Sequence, residues 1–119
     1  MKYEAETRPW GMYQVLLDSD ATKVKLITIA PNSRLSLQSH NKRQEQWTLV
    51  KGTLTVVLDD IEYTLAATGE SIRIPCQSKH RAWNKTDKLV EFIEVQTGQY
   101  FGEDDIIRYE DDYGRLEEK

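Results

Sequence analysis

Short segments rich in β-branched and aromatic residues follow one another along this chain, each closed by Gly, Pro, Asn or Asp. They span residues 14–17, 24–30, 34–38, 44–51, 54–58, 61–65, 71–75, 80–84 and 89–97. None carries the i, i+3, i+4 apolar stripe of a helix, and no gap between them is long enough for a crossover helix. Such a chain folds as an antiparallel sandwich or barrel. Asp59 and Asp60, set between two alternating runs, predict a hairpin. Only the tail at 102–116 reads otherwise: Glu103, Asp104 and Asp105 precede Ile106 and Ile107, which suits the start of a helical turn.

With 119 residues and no linker or repeat, the chain reads as one all-β domain. Residues 1–20 form an N-terminal arm and strand, 21–97 the barrel core and 98–119 a C-terminal extension. The lone cysteine, Cys76, has no internal disulfide partner and no histidine of its own, so it reads as incidental. There is no secretory signal or bilayer-spanning stretch, which makes the reducing cytoplasm the expected location and leaves no membrane partner. The net charge is −4, from 16 basic and 20 acidic residues. That balance excludes the basic stripe a nucleic-acid-binding surface needs.

The chain has two histidines, His40 and His80, each at or beside a strand end. Gln38 and His40 alternate with Ser39, so they project from one face of an extended segment. Glu45 opens the next strand, and a tight turn between the two would bring Gln38, His40 and Glu45 to one point. His80 is the only residue that can add a second imidazole. Two nitrogens and two oxygens suit a borderline divalent ion such as zinc, manganese, iron, cobalt or nickel. Taken singly, each histidine would read as a structural residue. Their shared context changes that reading.

In that context the chain resembles a cupin. The histidine, glutamate and closing glycine of the first cupin motif fall in step at His40, Glu45 and Gly52, with Gln38 where the first histidine usually stands. The second motif is matched by Gly69, Pro75, His80 and Asn84. Asn32 and Gln77 replace two motif glycines. Asn tolerates a positive φ and Gln does so poorly, so the second turn is expected to change shape.

The resemblance extends further, to the type II phosphomannose isomerase domain. It is carried by Arg8 to Tyr13, by Leu35 to Trp47, by His80 with Arg81, by the run from Ile93 through Arg108, and by Asp112 to Arg115. In that family the cupin usually follows a mannose-1-phosphate guanylyltransferase part, which these residues do not include. The resemblance implies a stand-alone, homodimeric cupin barrel that interconverts mannose 6-phosphate and fructose 6-phosphate. It also implies one divalent ion, zinc first and manganese, cobalt, nickel or magnesium otherwise, on Gln38, His40, Glu45 and His80.

Moving a proton between adjacent carbons needs charge stabilisation at oxygen and an acid/base group near carbon. A lysine beside the metal can have its pKa lowered toward the working range, which nominates Lys79; arginine stays protonated and acts as a clamp, which nominates Arg43. Metal-bound hydroxide is a further option. The sugar phosphate calls for arginines. Arg43 shares face parity with Glu45 and is the leading choice. Arg8 and Arg108 follow from the resemblance alone, and for Arg108 ion pairing with nearby acids is an equal alternative. Trp47 shares the parity of Glu45 and is expected as a cavity wall, while Trp10 and Trp83 are expected to pack. Arg81 and Arg115 read as structural, and the acidic tail as solvated charge. Two rival functions remain: a sugar or sugar-phosphate binding module without turnover, working with a separate nucleotidyltransferase, and a metal-dependent oxygenase, which the glutamine at position 38 disfavours.

Overall fold

A computed structural model describes residues 4–114. The strands are β1 (Ala5–Arg8), β2 (Gly11–Asp18), β3 (Thr22–Ile29), β4 (Ser33–Arg34), β5 (Leu37–His40), β6 (Arg43–Lys51), β7 (Leu54–Leu58), β8 (Ile61–Leu65), β9 (Ser71–Ile74), β10 (His80–Asn84), β11 (Val90–Gly98) and β12 (Ile106–Glu110). They build two antiparallel sheets, one ordered β1-β2-β3-β11-β6-β9 and the other β12-β5-β10-β7-β8, with β4 added beside β10. No helix among the described residues is long and apolar enough to cross a membrane.

The expected hairpin at Asp59 and Asp60 is present. Both residues have positive φ, +47° and +70°, and Leu58 pairs with Ile61. That is the backbone a two-residue turn of the right twist requires. The turn after β6 uses Gly52 at φ +86°, where a Cβ would lie 2.8 Å from the Leu89 carbonyl oxygen. Any side chain there would collide with the backbone.

Three expectations are corrected. Over its described residues, 102–114, the tail is not one helical turn. A single 3-10 turn at Glu103–Asp105 leads straight into β12, which pairs with β5. The reason is that Asp105, 8% exposed, does not cap a helix: its carboxylate accepts from the backbone N–H groups of Asn41 and Lys42 and so pins the turn between β5 and β6. The acids that follow are not merely solvated, since Asp112 takes two hydrogen bonds from Arg34 and Glu110 pairs with Arg81. Finally, Gln77 adopts φ +67°, the conformation a glycine favours, and its N–H donates to the His40 carbonyl at 2.7 Å. The turn therefore keeps a left-handed residue despite the substitution. Arg115, Leu116 and the terminal acids lie outside the described residues.

The core explains where a site can form. Inward positions of β11 run Val90, Phe92, Glu94, Gln96, and those of β6 run Leu49, Trp47, Glu45, Arg43 as the antiparallel pair is followed the same way. One end of the sandwich is therefore apolar, with Ile27, Ile29, Leu54, Val56, Ala82 and Ile74 packed around Trp47 and Phe92. The other end is lined by buried polar groups. Asn84, fully buried, closes the loop behind β10 by donating to the carbonyls of Ile29, Ala30 and Lys88.

Candidate metal centre and ligand cleft

At the polar end, His40 on β5, Glu45 on β6 and His80 on β10 meet. Their side chains are 2%, 2% and 3% exposed. His40 Nδ1 lies 3.6 Å from Glu45 Oε2, and His80 Nε2 lies 3.9 Å from Glu45 Oε1. One donor atom from each residue falls within 4.8 Å of the others. Gln38 is the direct register partner of His80, so the two side chains rise from the same face. Its amide donates to Ser36 Oγ at 2.9 Å, which orients it.

Electrostatics prepare this set for a cation. Burial, reinforced by the Arg43 guanidinium and by His80, holds the His40 imidazole down to about 3. Burial also lowers His80, opposed by the hydrogen bond of its Nδ1 to the Ser78 carbonyl at 2.9 Å. Both rings are thus neutral at physiological pH, the form that ligates metal. The Ser78 bond places the His80 proton on Nδ1 and turns the Nε2 lone pair toward Glu45. The Arg43 guanidinium is lodged against this donor set, giving Nε–H to Glu45 at 2.9 Å and a terminal N–H to His40 Nε2 at 2.8 Å. Two imidazoles, a carboxylate and an amide oxygen are a donor set that fits a borderline divalent ion, provided Arg43 releases the His40 Nε2 lone pair it holds here.

Beside this centre lies an open cleft of about 70 Å³. Arg8, Lys25, Arg43 and Arg108 line it together with Trp10, Tyr13 and Glu94. A smaller inner cavity of about 20 Å³, the size of a water molecule, touches Glu45, Trp47 and His80. Leu35, Gln38 and Glu94 belong to the walls of both.

The expected residues divide accordingly. Gln38, His40, Glu45 and His80 come together, and Arg8, Arg43 and Arg108 reach the cleft. Among the described residues Arg108 forms no ion pair, and its buried Nε has no hydrogen-bond partner. Lys79 is not brought to the centre. Its backbone is tied to Asp59, and its Nζ lies 4.4 Å from the Tyr109 ring centroid, because adjacency to His80 along a strand sends its side chain to the opposite face. Trp47 walls the inner cavity, not the cleft: it is 2% exposed, stacks on Phe92, and donates its indole N–H to Glu45 at 2.9 Å. Trp83 lies between the cations of Arg34 and Lys85. Arg81 is structural, donating to the Leu35 carbonyl and to Glu110.

Two residues were not anticipated. Glu94 is 6% exposed and accepts from Gln96 at 2.6 Å; burial, then the neighbouring Glu45 carboxylate, push it up to about 7. Lys25, its cross-strand partner, lines the cleft. A charged residue at inward parity in an otherwise apolar strand was the available signal for both: Glu94 follows Phe92 by two, and Lys25 precedes Ile27 by two.

Comparison with known proteins places this arrangement in context. The profile of the mannose-6-phosphate isomerase C-terminal family matches residues 2–111. The alginate biosynthesis protein AlgA of Pseudomonas aeruginosa is 47% identical over 111 residues, which are 93% of this chain and 23% of that protein. A mannose-1-phosphate guanylyltransferase of Escherichia coli is 40% identical over 109 residues, 92% of this chain and 23% of that protein. The chain thus spans less than a quarter of either relative. A crystal structure of a Klebsiella pneumoniae protein with a double-stranded β-helix domain superposes with a TM-score of 0.76 at 19% identity, covering 91% of this chain and 86% of that one, and so shares the fold.

Proposed function

This chain belongs to the mannose-6-phosphate isomerase C-terminal family, and we propose that it interconverts mannose 6-phosphate and fructose 6-phosphate with a bound divalent ion. The observation that carries the reading is the buried His40, Glu45 and His80 set opening, past Gln38 and Glu94, onto a cleft lined by cations. Gln38, His40, Glu45 and His80 would hold the ion, zinc first, with manganese, cobalt, nickel or magnesium as alternatives. When bound, such an ion supplies Lewis-acid polarisation of the sugar carbonyl.

The remaining work falls to the chain. Glu94 lies in the wall shared by both cavities, so its carboxyl is the group placed to carry a proton between adjacent carbons, a task first assigned to Lys79. Arg43 holds the Glu45 carboxylate and donates to His40 Nε2, a bond that would have to be released when His40 ligates the ion. Arg8 and Arg108 stand where an anionic substrate group would enter. Trp47 walls the inner cavity, with Phe92 packed against it. The reading includes a homodimer, to be checked by sedimentation.

The test is a coupled assay for fructose 6-phosphate formation from mannose 6-phosphate, with metal-stripped protein and each ion restored in turn. Turnover that requires an ion and disappears in His40→Ala and His80→Ala supports the isomerase. A second reading draws on the Escherichia coli relative, whose name states only guanylyltransferase activity although it contains the matching stretch. In that reading the domain is a sugar-phosphate binding module, and tight metal and ligand binding without turnover on any ion would establish it.

A further inference from the structure

The four cations of the cleft differ in what they already hold. Arg43 is committed to Glu45, to His40 and, at 3.5 Å, to the Phe101 carbonyl. Arg8 donates to the Thr7 carbonyl and the Tyr13 hydroxyl, and pairs with Glu6 at 3.5 Å. Lys25 and Arg108 are in a different position. Lys25 is 8% exposed; its charge acts on its cross-strand partner Glu94 and on Glu6, although no ion pair joins it to either. The contact it makes is with the face of Tyr13, whose centroid is 4.4 Å from Nζ. That ring is itself anchored, because its hydroxyl is bonded to Glu6 and Arg8. Arg108 leaves a buried Nε without a partner.

Here two cations face one cleft from different sheets, the buried Lys25 from β3 and the half-buried Arg108 from β12, with the carboxyls of Glu94 and Glu103 also in its lining. The Tyr13 ring holds the Lys25 ammonium in place by a cation–π contact, which fixes its position without neutralising its charge. With Arg8, Lys25, Arg43 and Arg108 set against Glu94 and Glu103, the cleft keeps an excess of cations, which suits an anion with several acceptor oxygens.

We infer that Lys25 is a substrate-binding residue, donating together with Arg108 across the gap between the sheets to the phosphate of the sugar phosphate. The identity of the sugar rests on the isomerase reading; the capture of a phosphate does not. Arg43, by contrast, serves the metal centre.

The test uses the metal-loaded full chain and calorimetric titration with fructose 6-phosphate and with inorganic phosphate. Lys25→Met should weaken both by about 10-fold or more, the range for loss of a hydrogen bond to a charged group. Lys25→Arg should recover most of the affinity, and Arg108→Gln should lower it as Lys25→Met does. Metal affinity, measured by chelator competition, should stay at the wild-type value in Lys25→Met. Unchanged ligand affinity in Lys25→Met overturns the inference, and so does a parallel loss of metal affinity, which would mark Lys25 as structural. Failure of the wild type to bind either probe overturns it too. Phosphate binding that depends on Lys25 in a protein that turns over no sugar phosphate keeps the inference and removes the isomerase. Isomerase activity indifferent to Lys25→Met does the reverse.

Discussion

Arg43 gives its Nε–H to Glu45 Oε2 at 2.9 Å while the two side chains are only 4% and 2% exposed. The guanidinium is the cation that makes the Glu45 charge tolerable inside the sandwich. Arg43→Ala leaves that carboxylate buried and unpaired, which costs about 3–5 kcal/mol. The metal-free variant should therefore melt well below the wild type. A saturating divalent ion restores the missing charge, so it should raise the melting temperature of Arg43→Ala by more than it raises that of the wild type. Equal shifts in the two proteins, read by differential scanning fluorimetry, would remove this role.

Glu45→Gln tests the centre from the other side. The amide keeps the volume and the Trp47 contact but removes the negative charge that faces both imidazoles. Metal affinity by chelator competition should fall further than the about 10–100-fold that follows loss of a residue that only orients a ligand. Affinity close to wild type would place the ion elsewhere.

In the metal-free protein, His40 and Glu94 pull stability in opposite directions with pH. His40 is held down to about 3 by burial, so between there and its ordinary value of 6.5 the unfolded chain binds a proton the folded chain refuses. Stability falls as pH drops through that window. Glu94 is pushed up to about 7 by burial, so from its ordinary 4.5 upward the folded chain retains a proton the unfolded chain has released. Stability falls as pH rises through that window. Glu94→Gln should keep the acid-side loss and move the stability optimum to higher pH, as read from urea melts in the presence of chelator. An optimum that does not move would contradict the buried, protonated carboxyl.

Gln77 offers a test of the turn before β10. Its φ of +67° is unfavourable for a residue with a Cβ by about 1–2 kcal/mol, and glycine gives back about 0.5–1 kcal/mol through the unfolded chain. Gln77 is exposed, so no packing is lost. Gln77→Gly should stabilise the protein by up to about 1 kcal/mol, and a lower melting temperature would show that the Gln77 side chain contributes something the backbone does not.

The grouping of Gln38, His40 and Glu45 was legible because it depends on short-range rules. The two-residue period puts Gln38 and His40 on one face, and a tight turn returns the chain to Glu45. The same rule, applied to Lys79, sends it away from His80, and adjacency in the motif obscured this. Arg43 was placed on the correct face, but parity says nothing about which neighbour claims a guanidinium, and Glu45 and His40 claim it first. Glu94 and Lys25 take their meaning from the pairing of β11 with β3 and β6, strands far apart along the chain, and such register is not written in any local window. The tail failed for a related reason. Its acids look like the start of a helix until Asp105 is seen holding the backbone of Asn41 and Lys42.

Gln38 and Glu94 stand in the wall common to the cleft and the inner cavity. On the proposed reading, a sugar phosphate tethered by its anion between Lys25 and Arg108 would extend toward His80 past those two side chains and Leu35. The partition then acts as a ruler. Moving the phosphate to another carbon would leave the grip intact and bring the wrong atoms to the ion, so selectivity among isomeric sugar phosphates would appear in turnover and hardly at all in affinity.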